Sequence, residues 1–529
     1  MPALNVPARA RRVRRIPRPD GSAYVLPAIA HDDRNSPWAK LGWRLRPVLP
    51  VARSRWIFAA LFCAAFLIRL PNFGNPAYEV DEEFYLLVGD RLLHGMLPYV
   101  DIWDRKPIGL FLIYAAIRLL GGYGVLQYHI VATLFAGGTA CLMHRLARPG
   151  AGNLGGFVAG LAYLVWIETA EGGGGQAPIF YNLFVAGTAG LALRAFSTTD
   201  RGDFRRLALL AMILGAFAIQ IKYTAVFEVA YFGALLSWGT LRRTGKLASA
   251  AAETALIALV ALSPTLLALG YYASIGEAQT FWFANFVSIF LRAPAASGEL
   301  HDRFTQMILH ILPFAVCCAA AFWHIRTDRR TETRRWQWIM MGWMLAALAG
   351  FFSVGALYFH YMLPLFVPFG VAAAPIFGRW PLGYVMAGLV LWLPFSHLNY
   401  PDFATSREFR TKTEAIAALI PSDVDQRCMQ MFAGPPILYL RKNACFVSRY
   451  VFPDHLVSSI ETHAIGVDAA AEINRIAQRE PRALIVDEHA YHLDPVSSSA
   501  LKNVLLRYYH RVGGVYLEYH RIDVWVSNR

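Results

Sequence analysis

Charge is scarce in this chain. Only 16% of its 529 residues are Asp, Glu, Lys or Arg, against roughly 25% in an ordinary soluble domain. Hydrophobic residues make up 56% and mean hydropathy is +0.37. These values exclude a conventional soluble enzyme and leave room for many membrane crossings. Acids are the scarcer sign, 36 against 50 Lys and Arg, for a net charge of +14. The basic residues fall in short clusters between apolar runs and form no single face, so no nucleic-acid partner is expected. No apolar run precedes Trp56, so the basic start around Arg9, Arg11, Arg12, Arg14 and Arg15 is not a cleavable signal peptide. Residues 1–54 are expected to be a cytoplasmic tail, disordered or attracted to anionic membrane lipids. The glycine run Gly172 to Gly175 lacks the Lys-Ser/Thr of a phosphate-binding loop, and is expected to let backbone approach substrate in an outer turn. No internal repeat relates two halves of the chain, which weighs against a transporter.

Apolar stretches able to span a bilayer lie near 56–71, 125–143, 152–168, 178–196, 206–221, 223–240, 248–272, 306–325, 336–354, 361–378 and 381–397, eleven in all. A twelfth apolar run, 108–120, is too short and suits an interfacial helix. Laying it flat sorts the charges: Arg145 and Arg148, Arg194 to Arg206, Arg242, Arg243 and Lys246, and Arg326 to Arg335 all become cytoplasmic. The opposite loops around 169–177, 273–305 and 353–360 then hold only Arg292 and Arg303. The expected fold is therefore an α-helical polytopic membrane domain over 55–398, with its first outer loop at 72–124, followed by an extracytoplasmic α/β domain over 399–529. In that last segment 428–433, 483–487 and 522–526 read as short strands, and 408–420 and 466–479 carry helical spacing.

Cysteines are few, six in all. Cys63, Cys141, Cys317 and Cys318 lie inside apolar runs, where buried thiols are ordinary. Cys428 and Cys445 do not; a disulfide between them and two unpaired core cysteines are both open readings.

The acids that are present concentrate in the first outer loop: Glu79, Asp81, Glu82, Glu83, Asp90, Asp101 and Asp104, beside Arg91, Arg105 and Lys106. From Asp81 to His94 the apolar residues recur at helical spacing, predicting an amphipathic helix on the membrane surface. A carboxylate held at the interface near cations is equipped to deprotonate an acceptor hydroxyl while a lipid phosphate departs. Lys106 or Arg105 would hold a phosphate oxygen. Lys222, at the outer end of a span, either binds that phosphate or snorkels and pairs with Glu228. His360 alone is an ordinary interface residue. Asn285 and Gln279, with Trp282 and Phe283, read as an interface belt.

The run Asp81-Glu82-Glu83-Phe84-Tyr85, then Gly95-Met-Leu-Pro98-Tyr99 and Asp101-Ile-Trp-Asp104-Arg-Lys106-Pro107, resembles the first outer loop of the protein O-mannosyltransferase and lipid A aminoarabinose transferase families. These are GT-C glycosyltransferases of the family 39 type. Lys222-Tyr223, His360-Tyr361, Gly434-Pro-Pro-Ile-Leu-Tyr439 and Arg449-Tyr450 extend the likeness across most of 56–529. The resemblance implies a GT-C fold and an inverting transferase that takes a hexose or pentose from a polyprenyl-phosphate donor on the outer face; the basic tail, with no eukaryotic retention signal, leads to the expectation of a bacterial inner membrane. A glycan, lipid or protein would be the acceptor.

Asp81 matches the family's catalytic acid, the expected base, and Asp104 and Lys106 match its acid-x-Lys-Pro box. Glu82 joins Asp81 and Asp104 as a candidate catalytic group. Tyr85, Arg105, Lys106, Gln176, Lys222, His360 and Tyr361 are the candidate substrate-binding residues. The aspartate that follows the third span in the aminoarabinose enzymes is replaced here by Gln176 or Glu171. A divalent cation (Mg, Mn or Zn) on Asp81 and Asp104 is compatible with clustered carboxylates but not required. The rival readings are an oligosaccharide ligase using a diphosphate carrier and a lipid or solute transporter.

Overall fold

The structure is a computed structural model describing Ile16–Pro17, Ala23–Tyr24 and residues 51–529 apart from 328–330, 398–399, 488–491 and 518–519. The chain divides into two compact units, Met1–Gly42 and Trp43–Arg529. In the first, β1 (Ile16–Pro17) pairs antiparallel with β2 (Ala23–Tyr24). The rest of the expected basic tail lies outside the described residues.

The second unit is largely helical. Its first span is α1 (Val51–Arg69). The outer loop that follows folds into α2 (Val80–Leu93) and α3 (Ile108–Arg118). Then come α4 (Val125–Trp166), α5 (Ala177–Ser197), α6 (Arg201–Ile221), α7 (Val226–Thr244) and α8 (Leu247–Ser274). The short α9 (Ala278–Trp282) precedes α10 (Ser297–Thr327), α11 (Thr331–Phe352), α12 (Phe366–Phe377) and α13 (Leu382–His397). Each of the eleven predicted apolar stretches is helical. Among the described residues seven helices are long and apolar enough to cross a membrane, with α12 and α13 among the shorter apolar ones. The chain is a multi-pass membrane protein. One of the seven runs Val125–Ala170 and holds two predicted stretches. Its kink lies at Gly152, φ 69° and ψ −170°, three residues after Pro149, where a missing N–H and a left-handed backbone break the hydrogen-bond ladder. At Gly155 a Cβ would stand 2.5 Å from the Ala374 carbonyl oxygen, so the second half of α4 lies backbone-close on α12, as small residues permit between membrane helices.

The C-terminal segment supplies α14 (Phe403–Leu419), α15 (Val424–Arg427), α16 (Ile437–Arg441), α17 (Ala469–Gln478) and α18 (Pro495–Tyr508). Of these α14 and α18 pack on a sheet of β3 (Met429–Met431), β4 (Ala483–Val486), β5 (Tyr509–Leu517) and β6 (His520–Ser527). Strand order is β3-β4-β6-β5. β3 and β4 are parallel, with Gln430 opposite Leu484, and the β6 pairings are antiparallel. The three predicted strands are present. The sequence reading missed α18 and β5, whose Tyr509-His-Arg-Val-Gly-Gly stretch has no clean alternation of apolar and polar residues. Cys428 and Cys445 form a disulfide.

One expectation needs correction. The loop helix α2 does not lie open on a surface: its residues from Glu82 to Asp90 are all buried. The C-terminal segment covers its polar face. Phe84 meets Phe452 edge-on at 5.2 Å, the Ile437 amide donates to Glu83 at 3.1 Å, and Arg91 donates to the Ala444 carbonyl at 2.8 Å. The stretches Gly434 to Tyr439 and Arg449-Tyr450 therefore belong to the seam between α2 and the sheet. The Trp103 amide bonds the Arg449 carbonyl at 2.9 Å, and the Trp103 and Tyr450 rings lie 5.7 Å apart.

Candidate functional site

Two turns of the outer loop set the site. Asp81 stands in the first turn of α2, where the helix N-terminus favours a negative group. Pro107 caps α3 from an extended conformation and leaves Lys106 just before it. The Lys106 ammonium lies 3.7 Å from the Asp81 carboxylate and 5.0 Å from the Tyr85 ring centroid.

Both residues face a cavity of about 750 Å³, which Asp104, Arg105, Gln176, Lys222, His360 and Tyr361 also line. Eight of the ten predicted site residues thus share one chamber, although they come from five separate stretches of chain. The lining also includes the apolar side chains Val226, Phe227, Phe286, Ile289, Phe290 and Val354. Phe290 there is 80% exposed.

Glu82 and Tyr85 are not among the lining residues. Glu82 is fully buried and points to the glycine run, where a Cβ on Gly174 would lie 1.9 Å from its carboxylate oxygen. Burial pushes Glu82 up to about 8, so it carries a proton at neutral pH. The glycines approach this side chain and Arg69, not substrate as the sequence suggested. Arg69, wholly buried, donates to the Gly172 and Gly174 carbonyls at 2.5 Å each and pairs with Glu168 at 3.3 Å.

The charges in the chamber have defined partners. Burial favours the neutral form of Asp81, but Lys106 and then His360 outweigh it and hold the carboxyl at about 2. Burial raises Asp104; one of its oxygens accepts the Arg105 amide at 2.6 Å and the other is buried without a partner. His360 meets Glu171 at 2.9 Å. The Lys222 ammonium stands 4.0 Å over the Tyr361 ring. Glu228 accepts from the Trp343 indole at 2.7 Å instead of pairing with Lys222. Arg105, expected to be free for phosphate, is committed to Glu461 at 2.6 Å and to Ser288 at 3.1 Å. The Tyr223 hydroxyl donates to Asn285 at 2.9 Å, so Asn285 belongs to the chamber wall and not to an interface belt.

Sequence reasoning passed over four lining residues: Arg292, Asp454, His455 and Glu461. Arg292 had a signal, being one of two cations in the loops 169–177, 273–305 and 353–360. The other three sit in the C-terminal segment, beyond the reach of any local pattern linking them to the first loop.

A divalent cation is a poor fit to these groups. Among the described residues no three His, Cys, Asp or Glu side chains cluster to hold a metal ion, and the Lys106 ammonium already occupies the face of Asp81.

No protein-family model and no curated protein matches the sequence. Solved structures do match in fold. ArnT from Cupriavidus metallidurans bound to undecaprenyl phosphate aligns with TM-score 0.58 and 14% identity, over 89% of this chain and 97% of that one. Its apo state gives 0.58 and 15%, over 90% and 98%. The Archaeoglobus fulgidus oligosaccharyltransferase tethered to an acceptor peptide aligns with TM-score 0.50 and 9% identity, over 90% of this chain and 74% of that one. Aligned over about nine-tenths of its length, the chain has the fold of these structures, the GT-C fold.

Proposed function

We propose that the protein is a membrane glycosyltransferase that takes a monosaccharide from a polyprenyl-phosphate donor at the outer face of a bacterial inner membrane. The observation that carries this reading is the chamber's mixed lining, the cations Lys106, Arg105, Lys222 and Arg292 together with apolar Val226, Phe227, Phe286, Ile289, Phe290 and Val354. Such a site suits an amphiphile with an anionic head and a hydrocarbon tail. The ArnT structure with undecaprenyl phosphate supports the same choice of ligand class.

The donor phosphate sits against Lys106 and Lys222, with Arg292 near, and the isoprenoid runs out past Phe227 and Phe290. Lys106 and Lys222 stabilise the charge that grows on the leaving phosphate oxygen. Asp81, ionised by its neighbours, aims the acceptor hydroxyl at the anomeric carbon and takes its proton as base. The hydroxyl oxygen attacks, the bond from carbon to phosphate oxygen breaks with its electron pair on phosphate, and configuration inverts. The acceptor is a glycan, lipid or protein of the envelope. The Cys428–Cys445 disulfide favours an oxidising compartment for the C-terminal segment.

The test is purified protein with polyprenyl-phosphate-monosaccharides extracted from the source membranes as donor and those membranes as acceptor. Release of polyprenyl monophosphate coupled to glycosylation is expected. Turnover of diphosphate-linked oligosaccharide alone identifies a ligase, and lipid movement without turnover identifies a transporter.

A further inference from the structure

Three residues of the C-terminal segment line the chamber side by side without a place in the transfer described above: Phe452, Asp454 and His455. The other acids of the chamber are largely committed. Asp81 faces Lys106, Glu171 faces His360, and Glu461 bridges Arg105 and Arg292 at 2.6 Å each. Asp454 makes no ion pair and no side-chain hydrogen bond among the described residues. Of the acids lining the chamber it is also the one that is exposed, whereas Glu79, Asp81, Asp104, Glu171 and Glu461 are half-buried or buried.

The three side chains stand on a fixed stretch of backbone. The His455 amide donates to the Phe452 carbonyl at 3.2 Å, and the Asp454 carbonyl accepts the Val457 and Ser458 amides at 3.4 and 3.0 Å. The Phe452 ring is held by Phe84 of α2 at 5.2 Å and by the His455 ring at 5.0 Å. His455 is buried against Trp103, 4.7 Å away, and its Nδ1 has no hydrogen-bond partner. Burial, with Arg105, Lys106 and Arg292 nearby, keeps that imidazole neutral.

We propose that Phe452, Asp454 and His455 form the acceptor subsite, and that the acceptor is a neutral glycan whose terminal sugar sets neighbouring hydroxyls on the Asp454 carboxylate. This rests on the transferase reading above and narrows its acceptor to one class. Asp81 remains the base; Asp454 binds.

The chemistry of the trio selects the class. An ionised carboxylate accepts charge-assisted hydrogen bonds from two hydroxyls at once. A neutral imidazole adds one donor and one acceptor, and an aromatic ring offers the apolar surface that the C–H face of a sugar needs. None of the three is a cation, so a phosphate-bearing acceptor would meet the Asp454 charge at close range with nothing from the trio to offset it. A serine or threonine acceptor brings a single hydroxyl and leaves polar atoms of the subsite unpaired, which is how a site built for hydroxyls rejects a ligand that lacks them. The donor is held at its phosphate by Lys106 and Lys222, whereas the acceptor arrives through water, to which Asp454 is open. Asp81 is within electrostatic reach: enclosure by the chamber walls, Glu461 and Asp81 raise the Asp454 carboxyl against Arg292 and His520 to about 6, which leaves it ionised at neutral pH.

The experiment uses the full-length protein with polyprenyl-phosphate-monosaccharide donor and three acceptor fractions of the source envelope: neutral polysaccharide, lipid A and protein. Undecaprenyl phosphate is the probe for the donor side. Transfer to the neutral polysaccharide is expected. Asp454→Ala should raise the KM for that polysaccharide about 10–100-fold, the worth of a charged hydrogen bond, while kcat at saturating acceptor and probe binding hold. Asp454→Asn, of nearly the same shape, should raise KM less and keep the wild-type melting temperature; it carries the test if the alanine variant fails to fold. An acceptor KM unchanged in Asp454→Ala, or a fall in kcat or in probe binding in Asp454→Asn without a rise in acceptor KM, overturns the proposal. So does transfer to lipid A or protein with none to the polysaccharide. Wild-type protein that binds the probe but transfers sugar to none of the three fractions overturns the transferase reading itself.

Discussion

The Lys106 ammonium lies 3.7 Å from Asp81 and on the same chamber wall, so one side chain both fixes the charge of the acid and offers a cation to an incoming phosphate. The pair works as a unit. Asp81 has its folded value, about 2, below its ordinary one. The resulting stabilisation is complete above about pH 4 and is lost only as pH falls towards 2.

Asp81→Asn is expected to lower turnover on the order of 10²–10³-fold at every pH from 5 to 9, with no limb of the profile removed. Lys106→Gln is expected to weaken undecaprenyl phosphate binding roughly 10–100-fold, the worth of a charged hydrogen bond of about 1.5–3 kcal/mol. Equilibrium binding of the labelled lipid checks the second, and full-range pH kinetics the first.

Glu82 next to Asp81 separates packing from chemistry. It is protonated at neutral pH and lies behind the chamber, against Gly174, so Glu82→Gln is expected to keep activity near the wild-type level. An activity loss equal to that of Asp81→Asn would make it catalytic after all. Gly174→Ala is expected to lower thermal stability by about 1–3 kcal/mol, because the added methyl overlaps the Glu82 carboxylate. A melting curve in detergent reads this directly.

Glu461→Gln leaves two buried guanidiniums, Arg105 and Arg292, without their shared anion. Removing one partner of a buried ion pair costs about 3–5 kcal/mol, and the loss should appear as a lower melting temperature and as earlier proteolysis of the C-terminal segment. In the wild type, burial raises Glu461 but the two arginines outweigh it and lower its carboxyl. Its stabilisation is therefore present above its ordinary value near 4.5 and fades as pH falls below that.

Much of the membrane part was legible because bilayer thickness and internal backbone hydrogen bonding impose a one-dimensional rule: long apolar runs become helices. That 108–120 forms a short apolar helix was legible from its length and composition. The acids of the first loop, Lys222 and His360 stood out because polar groups at a membrane boundary need a reason. The disulfide was an open alternative, since a separation of seventeen positions permits the bond without requiring it.

Proximity across the chain was not legible. Nothing local links Asp454, His455 and Glu461 to a loop some 370 residues earlier, or links Glu82 with Gly174. Arg105 and Lys106 are neighbours with the same charge, yet packing commits one to Glu461 and leaves the other on Asp81. The sequence alone determined the spans, the acidic loop and the residue types at its interface, since these follow from hydrophobic period and charge placement. Tertiary packing decided which carboxylate is ion-paired, which is buried and protonated, and which stands free in the chamber. Those states depend on distances to groups remote in the chain.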